Sequence, residues 1–391
     1  MTDLKQAVIV DAVRTPIGKA DARVGIYRDV RAEDLSAHVI KALVERTGID
    51  RTLIEDIRWG CVQQQGEQGF DIARIAGLVS GLPIETAGVT INRNCGSSLQ
   101  AINDAAMCVM CGQEPVVIAG GVEHMDHVPM SAGYDPCPAL FRKHSEGIMN
   151  MGLTAEYLSI KYQIDRAAQD AFALRSHQRA ATATENGEFQ NEIIPTWGRA
   201  ENGQKTLCEV DQCIRPDTSL EALAELRPVF NPAGGSVTAG NSSPVNVGAC
   251  ATLITSEEYA QELGLKPIAR IRAMAVAGVA PEEMGIGPVP ATRKALERAG
   301  LELSDIACIE LNEAFAVQAL TVLKLLGLEA DEAGVNMRGG AIAIGHPLGA
   351  SGSRIATTLL HRMQSEQAEM GLATMCIGQG QGIATIFESV A

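Results

Sequence analysis

Three residues of this chain combine reactive side chains with glycine-rich surroundings. Cys95 lies in Asn92-Arg-Asn-Cys95-Gly-Ser-Ser98, His346 in Gly345-His346-Pro347-Leu-Gly349, and Cys376 opens Cys376-Ile-Gly-Gln-Gly-Gln-Gly382. Glycine at that density fills no space and costs conformational entropy on folding, which points to backbone that a ligand approaches rather than to core. Two thiols and an imidazole suffice for acyl exchange on cysteine. One thiol carries the acyl group, the imidazole deprotonates a thiol, and the other thiol moves a proton at the reacting carbon.

Each residue also has a plainer reading. Cys95 falls where a strand gives way to a helix, so helix N–H groups favour its thiolate; a buried cysteine at a tight turn would look the same. His346, held between Gly345 and Gly349 and followed by Pro347, is structural if taken alone. The glycines after Cys376, at Gly378, Gly380 and Gly382, expose N–H groups that can receive an oxyanion. Asn312, in Asn312-Glu-Ala-Phe315, reads equally as a helix N-cap. Ser242 and Ser243 sit in a segment that turn chemistry explains without a ligand.

The elements that carry these residues alternate. Strand patterns cover Ala7 to Val10, Ile57 to Val62 and Pro115 to Ala119; helix patterns cover Ala32 to Arg46 and Ser97 to Met110. The last third repeats the rhythm. Strands are read at Ala269 to Ala275, Ile306 to Leu311 and Leu372 to Ile377, and helices at Ala291 to Ala299, Ala314 to Leu325 and Gly349 to Gln364. In both parts a Gly/Ser turn bearing a reactive residue precedes a helix, a strand and more glycine, which indicates a duplicated α/β unit. Between them, 122–245 is richer in methionine and proline and reads as a long insertion serving as a lid or binding surface. The expected division is 1–121 plus 246–268, the insertion 122–245, and 269–391.

Composition narrows the partners. Forty-seven acidic against 32 basic residues give a net charge of −15, which repels nucleic acid and anionic membranes, although a helix N-terminus can still hold a polyphosphate. The N-terminal apolar run is too short for a signal peptide, no run spans a bilayer, and Ser389-Val390-Ala391 is no peroxisomal address, so the cytoplasm is expected. Ten scattered cysteines read as reduced thiols. Cys108 and Cys111 form a C-x-x-C inside a helix pattern with no second ligand pair at zinc spacing, so no metal site is expected.

Five segments, in order along nearly the whole chain, resemble the thiolases: Asn92-Arg-Asn-Cys-Gly-Ser-Ser, Gly120-Gly-Val-Glu-His-Met125, Asn312-Glu-Ala-Phe, Gly339 to Gly352, and Cys376-Ile-Gly-Gln-Gly-Gln-Gly. Trp59-Gly-Cys-Val-Gln-Gln64, Gly120 to Met130 and Ala373 to Gly378 are most similar to the bacterial 3-ketoacyl-CoA branch, whose members serve as β-subunits of a fatty-acid oxidation complex.

The resemblance implies a layered α/β/α/β/α core of two βαβαβ-type halves with an inserted loop domain that binds CoA. It implies cleavage of 3-ketoacyl-CoA by CoA, with ping-pong kinetics, CoA as substrate and no permanently bound cofactor. Cys95 would carry the acyl group, His346 would act as base and Cys376 as acid/base. One oxyanion hole would use His346 and a water held by Asn312; the other would use backbone N–H groups of Cys95 and Gly378. Met151 and Ser243 would lie beside the pantetheine. A homodimer or homotetramer is implied, and similarity to the β-subunit extends this to a heterotetramer with a hydratase/dehydrogenase α-subunit. An acetoacetyl-CoA thiolase working in the condensing direction would use the same residues. Ketosynthase-like enzymes pair their cysteine with two histidines or with histidine and asparagine, and Cys376 stands against that class. Four residues depart from the family pattern: Asn94, Asn150, Val247 and Gln379.

Overall fold

The computed structural model describes residues 4–390. Four of its strands are buried on both faces, as strands covered by helices on two sides must be. These are β1 (Ala7–Arg14), β5 (Val116–His124), β8 (Asn246–Ser256) and β11 (Met370–Ile377), buried along nearly their whole length. With β2 (Gly18–Lys19), β3 (Asp56–Gly60), β4 (Ala87–Ile91), β9 (Ala269–Gly278), β10 (Cys308–Leu311) and β12 (Gln381–Ser389) they form one ten-stranded mixed sheet. Its order is β10-β11-β12-β9-β1-β8-β5-β3-β4, with β2 beside β8.

The sheet is two sheets joined at a narrow seam. Strands β1 and β9 pair only through Val8 with Arg270 and Ile9 with Ala269. On one side of the seam run β1, β8, β5, β3 and β4, and on the other β9, β12, β11 and β10, so β1, β3, β5 and β8 correspond in order to β9, β10, β11 and β12. The parallel pair Ile309 and Val335 stands where β3 and β4 pair in the first half. The duplication expected from the repeated rhythm is therefore present in the topology.

Helices complete five layers. Helices α1 (Ala32–Thr47) and α2 (Ile72–Ser80) cover the outside of the first half, and α8 (Pro288–Ala299) and α9 (Ala316–Leu326) the outside of the second. Helices α3 (Ser97–Met110) and α10 (Leu348–Glu366) lie between the half-sheets, where Leu99, Ile102, Ile355 and Leu359 are fully buried. Each such side chain contributes about 1.5–3 kcal/mol relative to exposure. The middle layer thus places two helix N-termini side by side, one following Cys95 and one following His346.

Glycine explains how closely they approach. A Cβ on Gly352 of α10 would lie 2.4 Å from the Leu99 nitrogen of α3, and one on Gly121 would lie 2.4 Å from the Gly349 carbonyl oxygen. The expectation that these glycines mark ligand-accessible backbone is corrected here: Gly349 and Gly352 let two helices and a strand pack at backbone distance. Gly378 is different, since a Cβ there would meet nothing closer than Met151 Sδ at 3.4 Å.

Residues 122–245 contain α4 (Met151–Tyr162), α5 (Arg166–Glu185), the hairpin β6 (Thr196–Arg199) with β7 (Lys205–Cys208), and α6 (Leu220–Ala224). Phe172 and Ala173 of α5 join the core around α9, so this segment leaves the first half and packs on the second. A buried ion cluster ties it back: Arg14 pairs with Glu192 at 2.6 Å and with Asp211 at 2.7 Å. Strand β5 runs on to His124, three residues beyond the boundary drawn at 121. The remaining helix, α7 (Glu257–Glu262), follows β8. Among the described residues no helix is long and apolar enough to cross a membrane.

Candidate active site

Cys95, His346, Cys376 and Gly378 line one cavity of about 630 Å³, together with Met151 and Ser243. Cys95 precedes α3, held by a tight turn in which Asn94 has φ 45° and the Ser97 hydroxyl accepts from Arg93 N–H at 2.9 Å. His346 occupies the matching place before α10. Cys376 comes at the end of β11, opposite Gly382 of β12, with Val317 and Met284 in the apolar cluster around it.

The charges differ from the sequence expectation at one point. Burial pushes the Cys95 thiol up to about 11, outweighing its own N–H and that of Gly378, both of which favour the thiolate. The helix N-terminus therefore does not keep Cys95 ionised in the resting site. Burial, and then the Arg354 guanidinium, push His346 down to about 3, so its ring is a neutral base. Burial and the neighbouring Cys95 raise Cys376 further still, leaving it a protonated thiol. The resting site is a neutral thiol, a neutral imidazole and a second neutral thiol, in which a base is needed to generate the nucleophile.

His346 is fixed from three directions. Its N–H donates to Asn246 Oδ1 at 2.8 Å, its Nδ1 lies 2.6 Å from Ser351 Oγ, and Asn312 Nδ2 lies 3.4 Å from the same ring nitrogen. With Nδ1 carrying the proton and donating to Ser351, the Nε2 lone pair is left for the cavity. Asn312 follows β10 directly while α9 begins only at Ala316, so the N-cap reading of Asn312 does not hold. Its Oδ1 is buried and has no hydrogen-bond partner among the described residues. Exchanging amide oxygen and nitrogen satisfies the imidazole N–H and frees an NH2 donor in that place.

Three supporting residues escaped the sequence reading. Asn246 and Ser351 carry no signal of their own; Ser351 lies five residues past the histidine it holds. Glu123 is a fully buried carboxylate that accepts from the N–H groups of Val62 at 3.0 Å, Gln63 at 3.0 Å and Gly349 at 2.8 Å, and from Gln68 Nε2 at 2.9 Å. It fastens the end of β5 to the first turn of α10, and so to the His346 turn.

The departures from the family pattern have local explanations. Asn150 caps α4, its Oδ1 accepting from the N–H groups of Gly152 and Leu153. Val247 is core in β8, opposite Gly18 and His124, and takes no part in the Ser243 turn. That turn is held by Ser243, whose N–H and hydroxyl both donate to the Ala314 carbonyl at 3.0 and 3.1 Å. Asn94 and Gln379 hydrogen-bond to each other.

Glu67, His124 and His127 place ligand atoms within 4.8 Å of one another. Their ring nitrogens are already engaged: His124 with Tyr27 O and His127 N–H, His127 with Arg28 O and Glu67. The cluster is a stacked, hydrogen-bonded pair, 3.7 Å between ring centroids. Cys108 lies in α3 and Cys111 at its end, both free thiols.

Two half-sheets around a shared helix layer, with a thiol and an imidazole at the paired helix N-termini and a second thiol across from them, define a cysteine-dependent acyltransferase. The chain belongs to the thiolase family: the description "Thiolase, N-terminal domain" matches residues 7–258 and "Thiolase, C-terminal domain" residues 265–389. It is 55% identical over 387 residues to a 3-ketoacyl-CoA thiolase of Aliivibrio fischeri, covering 98% of this chain and 100% of that one. It is also 55% identical over 389 residues to a 3-ketoacyl-CoA thiolase of Citrobacter koseri, covering 99% and 100%. An acetyl-CoA acetyltransferase of Bacillus anthracis superposes along the full length of both chains with a TM-score of 0.91 at 37% identity.

Proposed function

We propose that this chain cleaves 3-ketoacyl-CoA with CoA, releasing acetyl-CoA and an acyl-CoA shortened by two carbons. The observation that carries the reading is the meeting of Cys95, an unprotonated His346 and a protonated Cys376 in one cavity. His346 Nε2 takes the Cys95 proton as sulfur attacks the 3-keto carbon. The bond between the second and third carbons then breaks, and the Cys376 thiol protonates the departing acetyl-CoA carbanion. The Cys376 thiolate next takes the proton of incoming CoA, whose sulfur attacks the thioester; Cys95 leaves and recovers its proton from His346. Oxyanions are held at His346 with a water on the Asn312 amide, and at the N–H groups of Cys95 and Gly378. Met151 and Ser243 flank the pantetheine, within the loop segment 122–245.

Met125, Met130, Met149, Phe230 and Met284 form adaptable apolar walls that suit acyl chains longer than acetoacetyl. Thiolysis across acyl chain lengths tests the choice: activity rising beyond four carbons supports it, and activity confined to the four-carbon substrate favours the condensing alternative. The half-exposed edge strand β4 and the exposed side chains of Phe70, Ile84 and Val89 support assembly into a homodimer or homotetramer, which we place in the cytoplasm as part of the same proposal. Native mass measurement after co-expression with a hydratase/dehydrogenase α-subunit tests the larger complex, which homo-oligomers alone would rule out.

A further inference from the structure

Asn94 and Gln379 flank two catalytic turns from opposite halves of the fold. Both are non-glycine residues in the left-handed region, at φ 45° and 61°. Such conformations cost on the order of 1–3 kcal/mol and persist where surrounding contacts enforce them. The contacts are mutual. Asn94 Nδ2 donates to Gln379 Oε1 at 2.5 Å and to the Gly378 carbonyl at 3.3 Å. Asn92 Oδ1 accepts from Asn94 N–H at 2.9 Å, and Arg93 Nη1 donates to Gln381 Oε1 at 3.1 Å as a second strap between the same segments.

The clasp closes around the donors that matter to the thioester. Asn94 is bonded to Cys95 and Gln379 to Gly378, and the N–H groups of Cys95 and Gly378 both bear on the Cys95 sulfur. The Asn94 amide nitrogen lies 3.6 Å from where a Cβ on Gly378 would be, so it packs on that residue directly. Both are among the four residues that depart from the thiolase pattern read in the sequence. Two separate departures in sequence are one contact in space.

Resting on the functional reading above, we propose that Asn94 and Gln379 are a positioning pair that sets the spacing of the Cys95 and Gly378 N–H groups, and so aligns the second oxyanion site with the acyl carbonyl. Neither side chain donates to the oxyanion itself; the pair acts through the backbone it holds. Its loss slows acyl transfer onto and off Cys95 without weakening acyl-CoA binding.

The experiment compares Asn94→Ala, Gln379→Ala, the double variant and Gln379→Glu, which keeps an acceptor for Asn94. Deleting an oxyanion donor costs about 100- to 1,000-fold, so displacing one should slow acyl-enzyme formation about tenfold in either single variant. KM should stay within about threefold, the double variant should be no slower than the worse single, and Gln379→Glu should recover to within about threefold of wild type. Alkylation of Cys95 by iodoacetamide reads only the thiolate that the same N–H groups favour and forms no oxyanion, so it should fall by clearly less than acylation does. The proposal is overturned by acylation at the wild-type rate in both single variants, by multiplicative losses in the double variant, or by alkylation falling in parallel with acylation. A wild-type protein that forms no acyl-enzyme from any 3-ketoacyl-CoA overturns the functional reading, and this assignment with it.

Discussion

Replacing Ser351 by alanine removes one oxygen and isolates the control of the His346 tautomer. Ser351 is fully buried, does not line the cavity, and its hydroxyl is 2.6 Å from His346 Nδ1. Among the described residues, the only other side chain within hydrogen-bond distance of that nitrogen is Asn312, at 3.4 Å. A neutral imidazole has one proton to place, and base catalysis by Nε2 requires it on Nδ1. Loss of Oγ leaves Nδ1–H with the longer Asn312 contact and lets the proton settle on Nε2, where it blocks the base. A buried hydrogen bond of this kind contributes about 1–2 kcal/mol. At about 1.4 kcal/mol per factor of ten, kcat for thiolysis should fall roughly 5- to 30-fold. KM should hold, because substrate does not touch Ser351, and the single-turnover rate of acyl-enzyme formation should fall in step with kcat. A kcat within twofold of wild type, or a loss carried by KM, would refute the tautomer argument.

Other consequences follow from the same charges and contacts. With its thiol pushed up to about 11 by burial, Cys95 should be alkylated tenfold faster per pH unit up to pH 9, and a plateau near the ordinary thiol value would contradict this. His177, pushed down to about 4 by burial and by Arg215, accepts from Arg215 N–H at 3.2 Å. The unfolded chain binds that proton first, so the stability is present above about pH 6.5 and is lost as pH falls toward 4. His177→Gln should flatten the fall in melting temperature over that window; parallel curves would exclude the role. Glu123→Gln turns two of four accepted hydrogen bonds into donor–donor contacts, for a loss of about 2–4 kcal/mol. It should also lower kcat about 10- to 100-fold by releasing the His346 turn; unchanged denaturation and thiolysis would show that the carboxylate holds neither.

The three chemical residues were legible because each interrupts a strong local pattern: Cys95 and His346 precede helices and Cys376 ends an apolar strand. Strands β4, β8 and β12 went unread. The β4 sequence is short and half-exposed, while β8, with its polar threonines and serine among the apolar residues, lacks a clean alternation. The supporting groups were invisible for a different reason. Glu123 reaches Gly349 across 226 residues, and Asn246 reaches His346 across 100, distances over which only the folded backbone brings residues together. Glycine misled in part: Gly352 and Gly378 look alike in sequence, yet one lets helices touch and the other opens on the cavity. The helix N-terminus also suggested a Cys95 thiolate, because sequence conveys the dipole but not the burial that outweighs it.

The central claim is that Cys95 carries the acyl group and Cys376 only a proton. Incubating the protein with a 3-ketoacyl-CoA in the absence of CoA, quenching in acid and mapping the peptides by mass spectrometry tests it directly. The account predicts an acyl group two carbons shorter than the substrate on the peptide containing Cys95, none on that containing Cys376, and its discharge when CoA is added. An adduct on Cys376, or turnover with the Cys95 thiol never acylated, would contradict it.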